Sequence, residues 1–185
     1  MGVKTWQNGN VYIGNWKDWD ISGYGTYYHE SWDEPAKYQG YWKNGKREGR
    51  GTLIWNNGRK KDGYWKNGKL HGKGTQIYSN GDVYEGNFKD GSWDGYGIYI
   101  WADGSSYKGD WKNNKFDGKG KRIWTDGTSY EGYWKNDEQE GQGIMISEDG
   151  TVYEGNYKNG LKNGYGIYVW GWGQSPGFSR VGSRC

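Results

Sequence analysis

Aliphatic side chains are scarce in this chain, whose 185 residues are 32% hydrophobic with a mean hydropathy of -1.22. So little apolar material excludes a conventional two-layer core. Cysteine is confined to Cys185, the last residue, so no internal disulfide framework exists and a reducing compartment is permitted. Cys185 is also a candidate tethering thiol. Histidine is limited to His29 and His71, neither with a companion at metal-ligand spacing, so no metal or cofactor is expected. No apolar run approaches the roughly 18 residues of a membrane span. Met1 to Asn10 lacks the apolar centre of a signal peptide. One-sided charge is missing as well: 25 basic and 22 acidic residues are interleaved to a net +3, which argues against nucleic acid as a partner. Together these absences predict a cytoplasmic protein, peripheral at most to a membrane or the cytoskeleton.

What the chain does have is 14 Trp, 18 Tyr and 36 Gly. Each buried ring removes on the order of 150–250 Å² from water, so the chain is expected to fold with rings in place of aliphatics. The phrase that runs from Tyr84 to Ser106 begins again at Tyr107. Its starts fall at Tyr12, Tyr38, Lys61, Tyr84, Tyr107, Tyr130 and Tyr153, spaced by 23 residues except for a first step of 26. Such a period marks a repeat array. Residues 1–11 read as a half repeat, 1–173 as the array, and 174–185 as a C-terminal cap or tail in which Trp172, Pro176 and Phe178 fold back and Ser179 to Cys185 fray.

Within a unit, Y-x-G-x-W and G-x-G-x-x-I-W alternate with the period of a strand. Asn57-Gly58, Asn80-Gly81, Asp103-Gly104, Asp126-Gly127 and Asp149-Gly150 stand between units and read as two-residue type I′ hairpin turns. That turn places Ile100 opposite Tyr107, Ile98 opposite Gly109 and Tyr96 opposite Trp111, with a five-residue loop over Asp90 to Asp94. About fourteen strands result, with a spine of tyrosines alternating with Ile54, Ile77, Ile100, Ile123, Ile146 and Val169. Beside the spine runs a row of glycines from Gly14 to Gly155, which implies that something lies close to the backbone. Either neighbouring rings tilt over the glycines, or the row is a trough that a partner enters. Lys43, Lys66, Lys89, Lys112, Lys135 and Lys158 recur at one offset on the other face, a ladder suited to anionic lipid or simply to solvent.

The stretches YEGNFKDGSWDGYG, YEGYWKNDEQEGQG and YEGNYKNGLKNGYG resemble the MORN (membrane occupation and recognition nexus) repeat, Y-x-G-x-W-x-x-G-x-x-x-G-x-G, over about Trp6 to Trp170. The resemblance implies an all-β, elongated single-layer antiparallel meander of about seven β-hairpin repeats in an open array. It also implies a recruiting or scaffolding role. The expected function is a non-enzymatic module that binds a protein, as a helix or extended segment, or a second copy of itself. The expected contacts are Trp42, Trp65, Tyr84, Phe88, Tyr107, Trp111, Tyr130, Trp134 and Tyr157. The alternative is a peripheral module that binds phosphoinositides through the lysines, and a third reading is carbohydrate stacked on exposed tryptophans. Asp103, Asp126 and Asp149 are explained by turn chemistry, and no phosphate-binding loop precedes a helix, so no catalytic residue is assigned. Departures at Trp19, Lys61, Asn114, Asp137 and Ser147 make the repeats unequal.

Overall fold

The computed structural model describes residues 1–31, 35–171 and 179–182, and among these the chain forms sixteen strands and no helix. It divides into two compact units, Met1–Ser92 and Trp93–Cys185. The first carries β1 (Gly2–Thr5), β2 (Val11–Lys17), β3 (Asp20–Tyr28), β4 (Lys37–Lys43), β5 (Lys46–Ile54), β6 (Lys60–Lys66), β7 (Lys69–Ile77) and β8 (Val83–Lys89). The second carries β9 (Ser92–Ile100), β10 (Ser106–Lys112), β11 (Lys115–Ile123), β12 (Ser129–Lys135), β13 (Glu138–Ile146), β14 (Val152–Lys158), β15 (Leu161–Val169) and β16 (Ser179–Gly182). In each unit the strands are antiparallel and follow one another in sequence order. The fourteen strands expected are β2 to β15, and β1 adds the half repeat. Trp172, Pro176 and Phe178, expected as a cap, lie outside the described residues, whereas residues 179–182, expected to fray, pair with β15.

Two kinds of turn alternate, and they are placed the other way round from the sequence expectation. The type I′ turns fall inside the repeat, at Asn44-Gly45 (φ 48° and 72°), Asn67-Gly68 (50° and 82°), Asn113-Asn114 (49° and 65°) and Asn136-Asp137 (50° and 73°). Between repeats the loop has three residues: Trp101 N–H donates to Ser105 O and Gly104 N–H to Trp101 O, each at 3.0 Å. There only Gly104 has positive φ, 88°, and the Asp103 carboxylate instead accepts from Ser105 N–H at 2.8 Å. This is a type I turn closed by a left-handed glycine.

The extra loop residue moves the register by one. Tyr107 stands opposite Tyr99 and Arg122, and Gly109 opposite Gly97 and Gly120. Ile98 faces Lys108 and Tyr96 faces Asp110, so the isoleucine spine is not formed. Ile100, Ile123 and Ile146 are 47%, 41% and 40% exposed, on the opposite face from the tyrosines. A bulge between Gly109 and Trp111 reconciles this register with the tight turn at Asn113-Asn114.

The core is therefore a row of tyrosines lying flat on paired glycines. Tyr12, Tyr84, Tyr107 and Tyr130 are 0% exposed. Each reaches along its own strand to donate to a backbone carbonyl three residues on, as in Tyr107 Oη to Asp110 O and Tyr84 Oη to Asn87 O, both 3.0 Å. A Cβ built on Gly120 would sit 2.5 Å from Tyr107 Cζ, so only glycine admits the ring. Tryptophans close the box. Tyr38 meets Trp42 and Trp65 edge-on at 4.9 and 5.4 Å, and Tyr107 meets Trp111 and Trp134 at 5.0 and 5.6 Å. The Trp65 and Trp134 indoles donate to Gly51 O and Gly120 O at 2.8 and 3.1 Å, which ties each repeat to the one before.

At the first tight turn Trp19 takes the place of the usual glycine, holds φ at 70° and is 96% exposed. A bulky residue in the left-handed region is strained, and here no contact offsets the strain. Trp19→Gly is expected to raise stability by about 1 kcal/mol, read as a higher midpoint in urea unfolding.

Candidate functional site

The rings expected to meet a partner are placed in the interior instead. Tyr84, Tyr107 and Tyr130 are 0% exposed and Trp65, Phe88, Trp111, Trp134 and Tyr157 at most 5%, while Trp42 is half-buried. The physical reason is the glycine row: with no Cβ beneath it, each tyrosine drops onto the backbone and leaves room for its tryptophan neighbours to close over it. On that face the trough is filled by the protein's own rings.

The open surface is the reverse face. Positions flanking each glycine alternate to that side, so Tyr41, Tyr64, Tyr96 and Tyr133 are each about half exposed, at 52%, 51%, 50% and 43%. In the first unit Tyr24 packs edge-on against Tyr41 at 5.4 Å, and the Arg50 guanidinium lies 5.5 Å over Tyr64. In the second unit this face holds an open groove of about 560 Å³. Its floor is the backbone of Gly109, Gly120, Gly132 and Gly143, and Tyr96 and Tyr133 stand along one side. Ile144, Glu131 and Lys121 stand along the other, the last two paired at 3.3 Å. Lys119 lies 5.2 Å over the Tyr133 ring. Tyr96 and Tyr133 were not singled out by the motif, which marks the buried ring. Their signal is the strict alternation itself, which puts them on the opposite side from Tyr107.

The six lysines of the ladder are all exposed. Each is the residue just before a tight turn, so the row follows the turn edge of each unit. In the first unit Lys43 and Lys66 stand opposite Lys46 and Lys69. In the second Lys112 faces Lys115, but Lys135 faces Glu138 and pairs with Asp117 at 3.3 Å, and Lys158 faces Leu161. No cluster of metal-ligating side chains occurs among the described residues, and no helix there is long and apolar enough to cross a membrane.

Burial of the tyrosine row has an electrostatic consequence. Desolvation, with a smaller contribution from Glu140, pushes the Tyr130 phenol up to about 12 from 10.0, and burial raises Tyr107 and Tyr38 further. The folded state therefore favours the protonated phenol. Its contribution is fully present below pH 10, where the unfolded phenol keeps its proton, and is lost as pH rises through the folded value near 12. The melting temperature should stay flat up to about pH 10 and fall steeply beyond it, with a shallower fall in Tyr130→Phe.

A family model described as MORN repeat matches residues 38–58, 62–83, 84–106, 107–129, 130–152 and 153–175. The hairpin beginning at Tyr12 is outside these matches, although Tyr12 is buried as its counterparts are. Among curated proteins no sequence matches. Among solved structures, the TCP domain of SAS-4 (dCPAP) of Drosophila melanogaster, in complex with a proline-rich motif of Ana2 (dSTIL), is similar with a TM-score of 0.43 and 13% identity, over 66% of this chain and 67% of that one. The wild-type TCP10 domain of Danio rerio CPAP gives a TM-score of 0.29 and 14% identity, over 86% of this chain and 84% of that one.

Proposed function

The chain belongs to the MORN-repeat family, and from that premise we propose that it is a non-enzymatic binding and scaffolding module whose second unit takes an extended segment of a protein partner in the Tyr96–Tyr133 groove. The observation that carries this reading is the groove itself: a bare glycine floor that a partner's backbone approaches closely, beside two half-exposed tyrosines. Half-exposed tyrosine offers large contact area and a hydroxyl at small conformational cost, which is why it is enriched where proteins meet. The Lys121–Glu131 pair on the far side supplies a polar rim. The location that goes with this reading is cytoplasmic.

Affinity capture from the native source tests it, with Tyr96→Ala/Tyr133→Ala as the groove variant. The partner should be lost while the melting temperature stays within a few degrees of the parent, since truncating half-exposed side chains costs little. Retention of the same partner at the same level contradicts the groove.

A second reading keeps the lysines as contacts for anionic lipid, and the observation in its favour is the run of Lys43, Lys46, Lys66 and Lys69 on the turn edge of the first unit, all exposed. It predicts sedimentation with phosphoinositide vesicles that weakens with salt and disappears in Lys43→Glu/Lys66→Glu. Carbohydrate stacked on exposed tryptophans gains no support from the repeated tryptophans Trp65, Trp111 and Trp134, which are at most 5% exposed, whereas Trp19 and Trp170 are exposed.

A further inference from the structure

The reverse face of the second unit carries an aliphatic row that the first unit lacks in this form. Ile100, Ile123, Ile146 and Val169 end β9, β11, β13 and β15, and each is between 40% and 48% exposed. They are continuous, because Ser106 stands opposite both Ile100 and Ile123, Ser129 opposite Ile123 and Ile146, and Val152 opposite Ile146 and Val169. The serines make notches between the ridges. In the first unit Lys37 and Lys60 take the places of those serines, and there Ile54 and Ile77 are half-buried. A long lysine stem covers apolar surface that a serine leaves bare.

The turns at the end of this row differ between the units in the same sense. Each turn of the second unit carries an aspartate, Asp103, Asp126 or Asp149, three residues after its isoleucine, where the turns of the first unit carry Asn57 and Asn80. Glu148 adds one more acid, and these turns contain no lysine or arginine. Asp126, Glu148 and Asp149 are exposed, and among the described residues none of the three makes an ion pair. An acidic line therefore runs beside the bare aliphatic row, one aspartate to each isoleucine.

The acids say what covers the row. Anionic lipid is repelled by them, and a partner that answers them carries cations in step with its apolar residues. That step is two strand separations, about 9–10 Å. Residues seven apart on a helix are about 10.5 Å apart, whereas same-face residues of an extended strand recur at about 7 Å. A helix of about 10–12 Å diameter seated on the isoleucines also brings its flank to the aspartates. We infer that this strip docks a basic amphipathic helix of a protein partner, with aliphatic side chains in the notches between the isoleucines and lysine or arginine along the aspartate line. The row lies outside the Tyr96–Tyr133 groove and stands without it.

A fluorescence anisotropy titration of the full chain tests this, with a labelled 22-residue peptide that carries Leu at the a and d positions of three heptads and Lys along one flank. Saturable one-to-one binding that weakens with salt is expected. A copy with Glu for Lys should bind at least about tenfold more weakly, as should a copy with two internal prolines, which cannot form the helix. Ile123→Thr/Ile146→Thr keeps β-branched residues in the strands, so the melting temperature should hold within a few degrees while affinity falls about tenfold or more. Asp126→Asn/Asp149→Asn installs the residue of the first unit's turns, where Asn57 accepts from Arg59 N–H as Asp126 accepts from Thr128 N–H. It should weaken binding severalfold and flatten the salt dependence. Tyr96→Ala/Tyr133→Ala should leave the peptide's affinity unchanged, which keeps this proposal separable from the groove. Absence of saturable binding, equal affinity for the Glu or proline copy, unchanged binding in the threonine variant, or loss in the groove variant overturns the proposal. Self-association of the chain that the threonine variant abolishes, read by analytical ultracentrifugation, assigns the row to a second copy and overturns it as well.

Discussion

Tyr107→Ala is expected to cost about 3–5 kcal/mol of unfolding free energy, the range for deleting a buried ring from a core that cannot collapse behind it. The side chain is 0% exposed, stacks on Phe116 at 3.8 Å and meets Trp111 and Trp134 edge-on. Its removal bares the glycine pair beneath it and leaves Asp110 O without the phenol donor. Tyr107→Phe keeps the ring and should cost only about 1 kcal/mol, the net worth of one such hydrogen bond. Ile123→Ala is the informative control. A sheet built on a tyrosine and isoleucine spine would lose heavily at that position, but Ile123 is 41% exposed on the reverse face, so the loss should stay below about 1 kcal/mol. Urea unfolding followed by tryptophan fluorescence separates these outcomes.

Gly120→Ala is expected to destabilise by about 3 kcal/mol, against the usual direction for glycine in a strand. Elsewhere the added methyl removes freedom from the unfolded chain and improves strand stability. Here it meets the Tyr107 ring, with Cζ 2.5 Å away. That ring is held by its hydroxyl bond to Asp110 and by two tryptophans, so it has nowhere to retreat. Gly127→Ala is a useful comparison for the cause of the loss. A Cβ there meets nothing within 4 Å, and its φ of 84° leaves only the left-handed penalty of about 1 kcal/mol.

Repeat number, strand alternation and the association of tyrosine, glycine and tryptophan are legible in the residues because each is a local pattern repeated in phase. The register is not, and the reason is specific. Asn57-Gly58 and Asn67-Gly68 are the same dipeptide, yet the second forms a two-residue turn with both φ positive and the first sits in a three-residue loop where the Asn57 side chain accepts from Arg59 N–H at 3.2 Å. Which turn forms depends on the hydrogen bonds that close it and on the bulge beyond the glycine pair, neither of which spacing records. The same one-residue difference decides the candidate site. It puts Tyr99, Arg122 and Met145 beside the core tyrosines, positions too variable to draw notice, and turns the regular isoleucines outward. The rings that recur most faithfully are thus the ones that build the fold. The open surface of the second unit is made of Tyr96, Tyr133 and the glycine backbone between the flanking rows.

A double-mutant cycle on Tyr107 and Gly120, measured by urea unfolding, tests the central claim most directly. If the ring rests on the glycine pair, Gly120→Ala made in the Tyr107→Ala background loses most of its cost, because the added methyl then enters the space the ring has left. The coupling should reach about 2 kcal/mol or more, within the range for residues in direct contact. Additive losses would show that the two residues do not touch, and would contradict both the register and the assignment of the reverse face as the open one.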